Sequence, residues 1–240
     1  MNKQARDVYA WANTTPWSLA RVAIERSPRV FLGGPPGVGK SYLTATASRA
    51  RFQVTLCDDQ TVQELVGHYL PRGQEFHWHD GPVALAMRQG ALLVLNEIGR
   101  ASGAVQDFLL GVLDSREAGG VALPSGEALL AAPGFAVVAT SNGSPEGLDP
   151  ALRSRFDAEI HLPMPNPALV TTLNLEVRGL GDALADSFKD PARALDPRRL
   201  LALVGLLKRG VEARWAAVIC FGESAPDLLG ALSARGVRLP

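Results

Sequence analysis

The chain has 240 residues and no net charge, because 24 lysine and arginine residues balance 24 aspartate and glutamate residues. This balance argues against a broad basic face that grips nucleic acid, and it leaves open only a local basic groove. The length and the hydrophobic fraction of 47% are those of a globular protein with one large domain, alone or with a small appendage.

A glycine-rich loop follows the first predicted strand. Residues 29–32 are an apolar run typical of a buried strand, and residues 42–50 have helix-forming composition. The loop between them matches G-x-x-x-x-G-K-[ST], in which glycines let backbone N–H groups face phosphate oxygens. Lys40 would add a positive charge at the β- and γ-phosphates, and Ser41 would offer its hydroxyl to Mg²⁺.

A turn that matched this pattern by chance would lack the flanking strand and helix, so we expect a nucleoside triphosphate to bind here. The residues expected to bind it are Gly34, Pro35, Pro36, Gly37, Val38, Gly39, Lys40, Ser41 and Tyr42.

Four more strands are predicted after the loop, at residues 51–56, 91–95, 134–140 and 158–162. Helical patterns separate them, and the unbroken apolar run at residues 91–95 is typical of a strand covered on both faces. This alternation predicts a parallel sheet with helices on both faces. Two inserted hairpins are predicted at residues 70–80 and 119–132, where turn residues separate short runs of strand character.

Three prolines within residues 163–167 mark a domain boundary, beyond which the patterns become helical. Asp196 and Pro197 are typical of a helix start, and Gly210 is expected to end the apolar helix that follows. We therefore expect an α/β domain at residues 1–165 and a small all-helical domain at residues 166–240.

Asn96 and Glu97 end an apolar strand at the carboxyl edge of the sheet, where phosphates bind. Nucleotide hydrolases usually carry an Asp there that holds the water shell of Mg²⁺, followed by a Glu that polarises the attacking water. Glu97 fits the catalytic role, and an exposed strand-end carboxylate is the alternative. Asn96 offers the metal one uncharged acceptor oxygen, which predicts weaker metal binding or slower turnover; a strand-ending cap is the alternative.

The order of these motifs resembles AAA+ ATPases, and within them the MoxR-type branch, which includes ATPases that remodel rubisco or nitric oxide reductase. The resemblance rests on six segments: residues 34–41, 64–67 leading into 80–83, 95–101, 138–142, 148–156 and 196–200. It implies a P-loop three-layer sandwich with a parallel five-stranded sheet, followed by a small all-helical lid domain. It also implies ATP and Mg²⁺ as cofactors and ATP hydrolysis as the activity.

The resemblance implies catalytic roles for three more side chains. Asn142 would orient the attacking water, and a turn residue is the alternative. Arg155 would be the arginine finger, which neutralises charge on the γ-phosphate held by a neighbouring subunit. Arg153 is the second candidate for this role. Arg198 would be a second sensor of the nucleotide, with Arg199 in reserve. A solvated or helix-start arginine is the alternative in each case.

A finger that acts on a neighbour implies self-association into a ring, expected to be a hexamer. The family pattern implies remodelling or maturation of a client protein, often with a partner that carries a von Willebrand A domain. The neutral charge argues against a nucleic-acid partner, and no membrane partner is expected. The two hairpins would line the central pore, where residues 76–79 would form an aromatic tip that grips a polypeptide. Two alternatives stay open: a nucleotide-gated scaffold with weak hydrolysis, favoured by Asn96, and a DNA-directed motor of similar build.

The N-terminal residues Tyr9, Trp11, Pro16 and Trp17 are expected to pack against the core, and a wall beside the adenine or a partner-docking patch are the alternatives. Cys57 and Cys220 lie in apolar stretches and are expected to be small buried hydrophobes in a reducing compartment. No signal-peptide pattern begins the chain, and no apolar run approaches the roughly 18 residues of a membrane span. A cytoplasmic location is therefore expected.

Overall fold

The computed structural model describes residues 13–114, 120–143, 148–190 and 194–240. Tyr9, Trp11 and Gly119, the first residue of the second predicted hairpin, lie outside the described residues. The chain divides into two compact units, one of residues up to Gly34 and Lys40–His161, the other of Pro35–Gly39 and Leu162–Pro240. Each unit has its own hydrophobic core.

The first unit contains the predicted parallel sheet, with five strands in the order β2-β5-β8-β1-β9. These strands are β1 (Arg29–Gly33), β2 (Arg51–Thr55), β5 (Leu92–Asn96), β8 (Ala136–Ser141) and β9 (Ala158–His161). The central strands are buried along almost their whole length, as expected of strands covered on both faces. The register pairs Gly33 with Ser141 and Leu95 with Ala139, so β1, β5 and β8 end at the same edge.

Within its described residues, the first unit contains the helices α1 (Pro16–Arg26), α2 (Lys40–Ala45), α3 (Val62–Val66), α4 (Pro82–Gln89), α5 (Gly103–Leu113) and α6 (Pro150–Arg153). Trp17, on α1, is buried as expected. The prediction of a helix through residue 50 is wrong, because α2 ends at Ala45. The hydroxyl of Thr46 donates back to the carbonyl of Leu43, and Ser48 donates to Glu25 on α1, which directs the chain away from the helix axis.

Both predicted hairpins form, the first from β3 (Gly67–Arg72) and β4 (Glu75–Asp80), the second from β6 (Val121–Ala122) and β7 (Ala128–Leu129). The first hairpin begins at Gly67 rather than at residue 70. The prediction of an aromatic tip at residues 76–79 is wrong, because these residues lie within β4. Alternation along the strand places Phe76 and Trp78 on one face of the hairpin and two histidines on the other.

The second unit is helical in the part of it that the structure describes. Its helices are α7 (Pro167–Glu176), α8 (Leu180–Ser187), α9 (Pro197–Lys208), α10 (Ala213–Phe221) and α11 (Ala225–Ala234). The Asp196 carboxylate caps α9 by accepting from the backbone N–H of Arg198 at 2.8 Å. Gly210 has φ +81°, a left-handed conformation suited to the residue after a helix.

Two expectations about apolar segments need correction. The helical stretch Ala213–Ala234 reaches 22 residues with a mean hydropathy of 1.2, which by length and composition alone is enough to cross a membrane. Its buried alanine and leucine side chains belong to the core of the second unit. Cys57 is exposed rather than buried, because it follows β2, an edge strand with a largely exposed surface, and Cys220 is only half-buried.

Candidate functional site

The glycine-rich loop adopts backbone conformations that residues with side chains rarely take. Gly34, Gly37 and Gly39 have φ values of 149°, 76° and 110°. A Cβ atom on Gly37 would lie 2.8 Å from Cδ of Pro197, the first residue of α9. Gly37 is therefore required both by the backbone and by the close approach of Pro197, which the sequence pattern did not reveal.

Lys40 is buried at the end of this loop, with 6% of its surface exposed. Its Nζ donates to the Gly34 carbonyl at 2.6 Å and to Oδ1 of Asn142 at 3.0 Å. A buried ammonium group is stable only with several hydrogen-bond partners. An ammonium group at the end of a glycine-rich loop suits an anion such as a phosphate.

Asn142 joins Lys40 to Glu97. The Nδ2 of Asn142 donates to Oε1 of Glu97 at 2.7 Å, while its Oδ1 accepts from Lys40. Only this orientation of the amide satisfies both neighbours, since an ammonium group only donates and a carboxylate only accepts. Three residues predicted separately from the sequence therefore form one hydrogen-bonded row at the carboxyl edge of the sheet.

Glu97 is held in a left-handed backbone conformation, with φ 57° and ψ 44°. This conformation costs a residue other than glycine about 1–3 kcal/mol, and such strain concentrates at functional sites. The Glu97 carbonyl accepts from the backbone N–H of Arg100 at 2.8 Å, which begins a short 3₁₀ turn over Ile98–Arg100. The turn and the Asn142 hydrogen bond together hold the half-buried carboxylate in place.

Asn96 points toward the neighbouring strand. Its buried Oδ1 accepts a hydrogen bond of 3.2 Å from the hydroxyl of Thr140 on β8. Oδ1 is the only acceptor atom of the Asn96 side chain, and one of its two lone pairs is therefore occupied. Thr140 was not predicted as a site residue, and only the register between β5 and β8 identifies it.

Ser41 and Tyr42 lie in the first turn of α2, and both are exposed. Among the residues that the structure describes, no group of three or more His, Cys, Asp or Glu side chains could hold a metal ion alone. A Mg²⁺ ion at this edge would therefore need phosphate oxygens and water in addition to the Ser41 hydroxyl, as Mg²⁺ usually does at nucleotide sites.

The two candidate finger arginines lie at the opposite edge of the sheet from Asn142. Arg155 precedes β9 by three residues, and β9 starts beside the first residues of β1. A strand of five residues spans about 17 Å, so Arg155 does not reach the loop of its own chain. Its Nε donates to Asp114 at 2.7 Å, whereas Arg153 makes a bidentate contact with Glu159.

Arg198 lies in the first turn of α9 in the second unit. Its side chain and that of Arg199 line a groove between α9 and α10. The Nε of Arg199 lies 3.8 Å from the Asp196 carboxylate and its guanidinium lies 6.0 Å from the ring centre of Phe221.

Comparison with known protein families identifies the first unit. Residues 29–156 match the AAA domain (dynein-related subfamily). The chain belongs to the AAA+ family. The matched span contains the glycine-rich loop, the Asn96–Glu97 pair, Asn142 and Arg155.

Two relatives agree with this AAA+ assignment. The chain is 30% identical to the denitrification regulatory protein NirQ of Stutzerimonas stutzeri over 87% of its own length and 82% of NirQ. It is 36% identical to the protein NorQ of Paracoccus denitrificans over 58% of its own length, and this match spans about half of NorQ, 54%. The resemblance to the MoxR-type branch of AAA+ ATPases is confirmed.

A solved structure supports the same fold. The crystal structure of NtrX from Brucella abortus in complex with ATP matches 92% of this AAA+ chain and 67% of NtrX, with a TM-score of 0.55 and 17% identity. The predicted fold class, an α/β sandwich followed by helices, is therefore confirmed.

Proposed function

We propose that this AAA+ chain binds ATP with Mg²⁺ and hydrolyses it to drive the remodelling or maturation of a partner protein complex in the cytoplasm. The observation that carries the proposal is the hydrogen-bonded row of Lys40, Asn142 and Glu97. Lys40 offers a cation for phosphate, Asn142 an amide that can orient a water molecule, and Glu97 a carboxylate that can accept a proton. All three lie at the edge of the sheet where phosphates bind.

The loop residues from Gly34 to Ser41, followed by Tyr42, would hold the nucleotide. Backbone N–H groups of the loop would face the phosphates, and Lys40 would contact the β- and γ-phosphates. Bound Mg²⁺ would supply charge neutralisation at the phosphates, with Ser41 as its ligand and Asn96 contacting its water shell.

The Lys40 contact with Asn142 would be released when a phosphate occupies the loop. A phosphate oxygen is a stronger acceptor for an ammonium group than an amide oxygen is, because the hydrogen bond is then charged on both sides. Oδ1 of Asn142 would become able to orient a water molecule beside Glu97. The Glu97 carboxylate would then polarise that water for attack.

The position of Arg155 supports assembly into a ring, expected to be a hexamer. Because Arg155 lies at the far edge of the sheet from its own loop, it could serve only the nucleotide of a neighbouring subunit. It would have to leave Asp114 to do so. We assign Arg198 as a second sensor of the nucleotide, on the basis of its place at the start of α9.

The exposed aromatic face of the first hairpin supports a polypeptide client. Phe76 is 72% exposed, and Tyr69 packs edge-to-face on Trp78 with ring centres 5.3 Å apart. Large exposed aromatic side chains are typical of protein-binding surfaces. We propose a partner with a von Willebrand A domain, as the resemblance to the MoxR-type branch implies. The neutral net charge gives no support to a nucleic-acid client.

A nucleotide-gated scaffold with weak hydrolysis is the second candidate. The observation that favours it is Asn96, whose uncharged oxygen is already shared with Thr140. The site would then hold ATP through Lys40 and the loop and turn it over slowly.

Nucleotide binding is tested by Lys40→Ala. We expect ATP affinity to fall by about two orders of magnitude, since the variant loses the charged contact with the phosphates. The measurement is titration calorimetry on the full chain, with circular dichroism as a check of folding. Lys189→Ala is the matched control, because Lys189 is exposed and paired with Asp186. Unchanged ATP affinity in folded Lys40→Ala would refute the assignment of this loop.

A further inference from the structure

The second unit carries a groove between α9 and α10. Its volume is about 580 Å³, and its apolar lining includes Leu201, Leu206 and Ile219. Leu201 and Ile219 are among the exposed large hydrophobic residues of the chain. Apolar surfaces of this kind are typical of interaction sites.

Helix α10 is oriented with its largest side chains outward. Ala216 and Ala217 are fully buried in the core of the second unit, whereas Trp215, Val218 and Ile219 are 68%, 58% and 63% exposed. Positions three and four residues apart lie on one face of a helix, so these three side chains form one outer stripe beside the groove. An ordinary surface helix shows the reverse distribution, with its large apolar side chains in the core.

The groove is rimmed by positive charge. Arg199 and Arg209 line it next to Arg198, the proposed nucleotide sensor, and none of the described residues that line it is acidic. The Asp196 carboxylate lies 3.8 Å from Arg199, so Arg209 carries most of the free charge. The whole chain has no net charge, so this concentration of arginine is local. Arginine and tryptophan are the residues most enriched at the energetic centres of protein interfaces.

We propose that this groove docks an amphipathic helix of a partner protein, with apolar side chains on one face and aspartate or glutamate beside them. The charge of the rim selects acidic residues, and the apolar lining selects side chains spaced three or four positions apart. A docked helix matches the surroundings, because the groove lies between two helices and offers no strand edge to extend. The groove shares Arg198 with the proposed nucleotide sensor, so the test below uses Arg209 and a chain without nucleotide. A failure of docking can then be distinguished from a failure of the proposed activity.

The test uses a display library of random peptides panned on the full chain without nucleotide. We expect the enriched peptides to pair acidic residues with apolar residues at helical spacing, and to bind more weakly at high salt. Their affinity should fall about tenfold in Ile219→Ala and in Arg209→Glu. Leu175→Ala and Arg238→Glu, exposed changes on other surfaces of the unit, are the matched controls and should bind normally.

Five results would overturn the proposal. Four of them are a library without enriched peptides, enriched peptides that lack acidic residues, unchanged binding in Ile219→Ala and Arg209→Glu, and a chain that self-associates through this face. The last is measured by sedimentation of the same variants. Vesicles of anionic lipid form a parallel arm, and binding to them that depends on Trp215 and Arg209 would assign the face to a membrane surface instead.

Discussion

Asn96 is the residue at which this chain departs from the chemistry usual in nucleotide hydrolases. An aspartate at this position would carry a negative charge and keep about three lone-pair sites after accepting from Thr140. The amide of Asn96 has no charge and one remaining lone pair on its oxygen. The water shell of a bound Mg²⁺ would therefore be held less firmly, while Ser41 and the phosphates would still contact the metal directly.

Asn96→Asp is expected to raise ATP turnover and to lower the Mg²⁺ concentration needed for half-maximal activity. The gain should be modest, about tenfold for each 1.4 kcal/mol of recovered transition-state stabilisation. The measurement is phosphate release over a Mg²⁺ titration, with the exposed change Asn13→Asp as the control for added charge. If neither the rate nor the Mg²⁺ dependence changes, Asn96 only ends its strand.

The candidate site could be predicted from sequence where motifs name residues directly. The loop spacing predicted Lys40, the position after an apolar strand predicted Glu97, and the resemblance to AAA+ ATPases implied Asn142. The sequence could not place Thr140 against Asn96, because this contact depends on the register of two strands that are 44 residues apart. The approach of Pro197 to Gly37 has the same cause, since it joins segments that are distant in the chain.

At the scale of elements, Arg88 links the two hairpins. Helix α4 follows β4 directly, and the Nε of Arg88 donates to Asp80 at the end of β4 at 2.7 Å. Its two terminal nitrogens donate to both carboxylate oxygens of Glu127, in the turn of the second hairpin, at 2.7 and 2.6 Å. Trp78 also donates to Asp80. We expect the hairpins to move as one surface.

The link is expected to weaken in acid. Burial opposes ionisation of Asp80, but hydrogen bonds from Arg88 and Trp78 outweigh it and lower the pKa of this carboxyl. The hydrogen bond from Arg88 likewise lowers the pKa of Glu127. A lowered folded-state pKa contributes stability that is present above the unfolded value, about 4, and is lost as the pH falls through the folded value.

Arg88→Ala is therefore expected to lower the thermal stability of the chain at pH 7, by about 1 kcal/mol through the Asp80 contacts after allowance for solvent screening. Its difference from the wild type should shrink as the pH falls below the unfolded value of about 4. The measurement is thermal unfolding followed by circular dichroism across that range. Arg72→Ala, an exposed change on the same hairpin, is the control, and equal stability of Arg88→Ala and Arg72→Ala at pH 7 would contradict the link.

Most strands could be predicted, because a strand buried on both faces is an unbroken apolar run that composition identifies. The end of α2 could not, because Glu25 on another helix binds the segment after Ala45. The sequence could not show whether the aromatic residues of the first hairpin lie at its tip or in a strand, because this depends on where the turn lies. The turn lies at Gly73, so Phe76 belongs to a strand and not to the tip.

At the scale of the whole molecule, the sheet separates the two groups that hydrolysis is proposed to need. Glu97 lies at the carboxyl edge and Arg155 at the amino edge, so under the proposed mechanism one chain would offer half of each active site. Assembly would unite Glu97 of one subunit with Arg155 of the next. Turnover should then depend on protein concentration, whereas ATP binding should not.

Mixing two inactive variants tests this dependence. Arg155→Ala and Glu97→Gln should each bind ATP and fail to hydrolyse it alone. Their mixture should recover part of the activity, because some interfaces pair an intact Glu97 with an intact Arg155. The measurement is phosphate release at several mixing ratios. Wild-type turnover by Arg155→Ala alone would contradict the finger assignment and make Arg153→Ala the next variant to test.

The central claim is that Glu97 of an ATP-loaded chain activates water. The most direct test is steady-state phosphate release by the wild-type chain and by Glu97→Gln at saturating ATP and Mg²⁺, with ATP binding measured on both. We predict equal binding and turnover that is slower by about a hundredfold or more in Glu97→Gln, the usual effect of losing a general base. Equal turnover by the two proteins, or ATP binding without any phosphate release by the wild type, would contradict the claim.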